Sequence, residues 1–121
     1  MRGSQPGRPR AAGARLRFDL DQALARASQE CHQNLEWSEQ ELQVIDHAAS
    51  AAERAAALGK LWKQELAGEA RPTVLVKLSA EMRACERAVI DLVSRVNPGL
   101  GPAKSDRHSR AAQSRWDRGS A

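Results

Sequence analysis

A chain of 121 residues has room for one domain, but Leu, Ile, Val and Phe together number only 21 against 22 alanines. That balance excludes a broad layered core and suits slender helices that approach closely and complete their burial by self-association. The net charge of +4 is unevenly spread: residues 1–17 carry five Arg and no acid, residues 18–103 carry nine basic and thirteen acidic groups, and residues 104–121 carry five basic and two acidic. A basic face on the fold itself is therefore excluded, and any polyanion contact belongs to the ends.

No stretch reaches the roughly 18 to 20 apolar residues needed to span a bilayer. The Arg-rich start lacks the apolar region of a secretory signal. A soluble, cytoplasmic protein with no membrane contact is expected. Cys31 and Cys85 form no CxxC pair and lie on apolar helix faces, which reads as two buried, reduced thiols.

Residues 1–18 mix Gly, Pro, Ser, Ala and Arg without apolar periodicity and read as a disordered basic arm. A helical domain follows over residues 19–97. Its first helix, about residues 20–35, starts from Asp19 or Asp21 as a cap and repeats Leu20, Leu24, Ala27, Cys31 and Leu35 on one face.

The stretch "WSEQEL" then marks a boundary: Ser38 as N-cap, Glu41 completing a capping box, and Trp37 placed to staple against Leu42. The second helix is expected over residues 39–67, ended by Gly68. Its face reads Leu42, Ile45, Ala49, Ala52 and Ala56, then shifts to Leu58, Leu61, Trp62 and Leu66. A bend or a change of partner is expected near Gly59.

Pro72 and Thr73 open a third helix, about residues 74–97, with the unbroken seam Leu75, Leu78, Met82, Cys85, Val89, Leu92 and Val96. Lys77 with Glu81, Arg87 with Asp91, and Asp91 with Arg95 are spaced for surface pairs. The short connection forces the two helices antiparallel, a hairpin roughly 40 Å long by helical rise. Val74, Val76, Ile90 and Val93 stand off the seam and call for the first helix or a second subunit to cover them. Leu75, Leu78, Met82, Val89, Ile90, Leu92, Val93 and Val96 are the candidate oligomerisation residues.

Residues 98–121 read as a linker and a short basic C-terminal helix, capped by Ser105 or Asp106 and too short to stand alone in water. The fold class is thus all-α: a long antiparallel helical hairpin with an additional N-terminal helix, a short C-terminal helix and disordered basic ends.

Catalytic signatures are absent from the sequence. His32, His47 and His108 are scattered, no HExxH, CxxC, GxxxxGK or GxSxG occurs, and solvated helix faces account for the carboxylates. No catalytic residue, metal ligand or cofactor is assigned, and the chain is expected not to be an enzyme. Nucleic-acid signals lie at the ends. Gly7-Arg8-Pro9 matches the core of an AT-hook, with Arg10, Arg15 and Arg17 as flanking cations. In the tail, Lys104, Arg107, Arg110, Arg115 and Arg118 line up as phosphate contacts, with Trp116 as a stacking surface. A solubilising arm and a docked Trp116 are the plain alternatives.

Over roughly residues 36 to 118 the chain resembles the small terminase-associated proteins of actinobacterial phages and prophages, grouped as terminase small subunits. The likeness is carried by Trp37 before a capped helix, Leu78-Ser79-Ala80-Glu81-x-Arg83, Asp91-Leu92-Val93-x-Arg95-Val96-Asn97-Pro98-Gly99, and Lys104-Ser105-x-Arg107-His108-x-Arg110-Ala111-Ala112-x-x-Arg115-Trp116. The resemblance implies a non-enzymatic, homo-oligomeric packaging factor that binds double-stranded viral DNA and recruits the large terminase subunit, which supplies ATPase and nuclease. It implies that residues 39–96 oligomerise and that Lys104 to Arg118 contact DNA or the large subunit. A helix-turn-helix, frequent at the N-terminus of such subunits, is not found here. The alternative reading is a helical adaptor that docks on another protein through its hairpin and basic tails.

Overall fold

The structure is a computed structural model, and residues 7–96 are described. It is all-α: α1 spans Ala12–Cys31, α2 Glu39–Ala67 and α3 Pro72–Ser94, with no strand among the described residues. The expected C-terminal helix, with Lys104, Arg107, Arg110, Arg115, Trp116 and Arg118, lies outside the described residues.

α2 begins where its cap dictates. Ser38 Oγ accepts from the Glu41 N–H at 3.0 Å, and the Glu41 carboxylate accepts from the Ser38 N–H at 3.0 Å. Two of the helix's orphan donors are thereby satisfied. Trp37 is turned to the core and not to the expected staple: its ring packs on the core cluster and its Nε1 donates to Asp21 at 2.9 Å, while Leu42 stays nearly half exposed.

α1 corrects the boundary expected from composition. It starts at Ala12, so Arg15 and Arg17 belong to a helix and not to a loose arm. The periodicity continues upstream through Leu16, in step with Leu20, Ala23 and Ala27. At the other end His32 adopts a left-handed conformation (φ 54°) and closes the helix, its N–H reaching the Gln29 carbonyl. Leu35 therefore lies beyond α1, with its N–H on Ser28 Oγ at 3.1 Å. Cys31 is exposed, not buried, because the helix ends at that residue; Cys85 is half-buried, and both thiols are free.

α2 and α3 form the expected antiparallel hairpin, and the α2 face agrees in part with the one read off the sequence: Ile45 and Ala49 are buried and Ala52, Leu58 and Trp62 half-buried, whereas Leu42, Leu61 and Leu66 are exposed. Its inner line is Ile45, Ala48, Ala51, Ala55, Leu58 and Trp62, while Ala56 is exposed. α2 runs unbroken through Gly59, which looks straight at α3: a β-carbon there would sit 3.7 Å from the Met82 methyl. What changes along α2 is the partner. α1 lies antiparallel across its first half, with Gly13 against Ala49 and Glu53, Arg17 against Asp46, and Leu20 against Ile45.

The core thus sits at the open end of the hairpin. Leu20, Ile45 and Val96 are its centre, with Leu16, Trp37, Val44 and Val93 packed around them. Among the described residues the far half of the hairpin is two helices thick. Within α3 no residue is fully buried.

The turn at the far end is clamped by side chains. Arg71 places its Nε 2.8 Å and its Nη2 2.9 Å from the two Glu65 oxygens, and its N–H 2.9 Å from the same carboxylate. This holds Ala70 in positive φ (51°) and delivers the chain to Pro72 at the start of α3. The Arg71 contacts hold the Glu65 carboxyl down to about 2. Neither Lys77 with Glu81 nor Arg87 with Asp91 is among the ion pairs of the described residues.

Candidate functional site

Two surfaces bear on function: the basic N-terminal segment and the uncovered faces of the hairpin. The basic segment folds back along α1. Arg8 forks onto Asp19, with Nε to Oδ1 at 3.0 Å and Nη2 to Oδ2 at 2.6 Å. Arg15 donates to the backbone carbonyls of Pro9 and Arg10, and Arg17 pairs with Asp46 at 2.8 Å. The Arg8 pair holds the Asp19 carboxyl below its usual range through that hydrogen bond, and raises the guanidinium in turn.

This arrangement corrects the picture of a disordered arm with four free cations. Gly7-Arg8-Pro9 is tied to the helix that follows it, and Arg8 must leave Asp19 before it enters a minor groove. Arg10, exposed and outside these ion pairs, is the arm cation best placed for a phosphate. The sequence held the signal for Arg8, since Asp19 and Asp21 are the first acids in the chain. It held none for Arg17, whose partner lies on another helix.

The candidate oligomerisation residues divide three ways. Leu75, Leu78, Met82, Val89 and Leu92 are half-buried along the line that faces α2, so the hairpin itself uses them. Val93 and Val96 join the three-helix core. Ile90 alone of that set faces solvent, 68% exposed, and Val76 matches it at 66%. On α2, Leu61 and Leu66 are about half exposed, at 49% and 50%. Near the turn, Leu61, Val74 and Leu78 line an open groove of about 360 Å³ rimmed by Gln64, Glu65 and Glu69.

Among the described residues no three His, Cys, Asp or Glu side chains are grouped to hold a metal ion. His32 and His47 are exposed on separate elements, and His108 lies outside the described residues. No helix among the described residues is long and apolar enough to cross a membrane.

No protein-family model matches the sequence, and neither a curated protein nor a solved structure is significantly similar to it.

Proposed function

We propose that this chain is a non-enzymatic assembly protein of the small-terminase type: it self-associates through its hairpin, holds double-stranded viral DNA with its basic ends and recruits the large terminase subunit, in the cytoplasm of an infected or lysogenic host. The observation that carries the reading is the exposed apolar set on the hairpin: Leu61, Leu66 and Val76 in its far half and Ile90 nearer the open end, with no third helix among the described residues packed over them. Such helices gain their stability from packing on other helices, and further copies of the hairpin offer it. The charge distribution adds the DNA: the acidic residues concentrate on the helical middle and the surplus of arginine at both ends.

Binding of this kind rests on phosphate attraction and weakens steeply with salt. Several weak arms on one oligomer bind together where a single arm does not. The test is a gel-shift titration against a DNA duplex at about 50 and about 200 mM salt, comparing the full chain with Arg10→Ala and with a chain ended after Val96. The reading expects affinity to fall in both variants and at the higher salt. Affinity that ignores salt and both changes contradicts it.

A second reading has its own observation. With Arg8 and Arg17 committed to Asp19 and Asp46, the N-terminal segment serves the fold of the chain itself. A helical adaptor that docks on another protein through Leu61, Leu66, Val76 and Ile90 needs no free arm. A monomer that is indifferent to DNA favours it.

A further inference from the structure

Four arginines stand from Arg8 to Arg17, and the fold sets an acid against two of them. Arg17 pairs with Asp46 of α2 at 2.8 Å and so ties α1 to its neighbour. Arg8 pairs with Asp19 of the helix that directly follows it, a contact that joins no second helix, and both side chains are about half exposed, at 56% and 44%. Gly7, just before it, has open space where a β-carbon would stand.

Asp19 has no capping task. It lies seven residues past the start of α1, beyond the first turn in which an acid gains from the helix dipole, and that first turn holds no acid. Pro9 disfavours a helical backbone at Arg8, and Arg15 donates to the carbonyls of Pro9 and Arg10 at 3.3 and 2.9 Å, which lays the arm back along the helix. Two N–H donors of Arg8 then meet the two Asp19 oxygens at 3.0 and 2.6 Å, the same fork that a guanidinium makes with a phosphate.

We infer that Asp19 is an autoinhibitory stand-in for a DNA phosphate: it holds Arg8 on α1 in the free chain and yields it when a duplex is bound. The inference rests on the DNA-binding reading and names a control on it. Arg10 and Arg15 stand outside the ion pairs of the described residues, so they meet the duplex first. An exposed pair is weak and screened by salt, so the dense phosphates of a duplex displace it. Asp19 does not bar binding; it subtracts from it.

Fluorescence anisotropy of the full chain with a labelled DNA duplex, at about 50 and about 200 mM salt, tests this. Asp19→Asn is expected to bind at least roughly twofold more tightly at the lower salt, with a smaller gain at the higher, as fits the loss of one exposed pair. Asp21→Asn is the matched control: it removes the same charge two residues away, and its side-chain oxygen can still accept from Trp37 Nε1. It is expected to gain clearly less. In an Arg8→Ala background, Asp19→Asn should gain no more than Asp21→Asn, which assigns the effect to the pair and not to the lost charge. The circular dichroism of all these variants should match the parent, since none of the three side chains belongs to the core cluster.

A gain from Asp19→Asn that is absent, equals that of Asp21→Asn or survives Arg8→Ala overturns the stand-in while DNA binding by the chain stands. Absence of binding by the parent and every variant at the lower salt overturns the stand-in and the DNA reading together.

Discussion

Glu53 caps a helix that is not its own. Its carboxylate accepts the Gly13 N–H at 2.6 Å, so a residue of α2 satisfies a donor at the start of α1, where Ala11 offers no side-chain cap. The approach is close enough that a β-carbon at Gly13 would meet the Ala49 carbonyl oxygen at 3.0 Å and the Glu53 side chain at 3.0 Å. Gly13→Ala should therefore destabilise the fold even though alanine is the better helix former. Crowding against a backbone oxygen costs about 1–3 kcal/mol, against a propensity gain of at most about 1 kcal/mol. A lower midpoint in urea denaturation is the expected outcome.

Removing the cap itself is the companion change. Glu53→Ala leaves the Gly13 N–H without its partner and should cost about 1 kcal/mol, in the range of other helix caps. The loss should appear as faster hydrogen exchange in the first turn of α1, with α3 unaffected.

Gly59 behaves in the opposite way. It sits inside α2 with an ordinary 3.7 Å gap to the Met82 methyl, so Gly59→Ala fills space and removes a helix-weakening residue. Stabilisation of about 0.5–1 kcal/mol is expected, read as a raised denaturation midpoint.

The two ends of the hairpin should differ in sensitivity. Ile45 is 3% exposed in the three-helix core, whereas Leu66 is 50% exposed near the turn. Ile45→Ala should cost about 2–5 kcal/mol as a buried truncation. Leu66→Ala should stay within about 0.5 kcal/mol in the monomer. Equal effects in chemical denaturation would contradict a core confined to the open end.

The Glu65–Arg71 clamp gives a pH dependence with a defined sign. A carboxyl held down to about 2 by Arg71 binds its proton less readily folded than unfolded. Its contribution is present at neutral pH and is lost as pH falls from the ordinary carboxylate range toward 2. The stability difference between the parent and Glu65→Gln should shrink over that window in thermal melts.

Much of the fold was legible because its signals are local. Ser38 and Glu41 announce the α2 start within four residues, Gly68 its end, and Pro72 the start of α3. The regular seam from Leu75 to Val96 needs only spacing to be read. α1 was harder: its first turns share residues with a Gly-, Pro- and Arg-rich segment, and the partners that order them, Glu53 and Asp46, arrive from another helix. The same limit governs the surfaces. Spacing alone separates Val76, Ile90 and Val93 from the seam, but only the placement of α1 tells that Val93 is covered and the other two are not. Arg8 and Arg17 look like free cations until Asp19 and Asp46 are found beside them.

Sedimentation velocity of the purified chain, alone and with a DNA duplex, at about 50 and about 200 mM salt, tests the central claim most directly. A defined oligomer that shifts to a larger species with DNA, and loses that shift at the higher salt, is the expected result. A monomer that sediments identically with and without DNA would contradict the account.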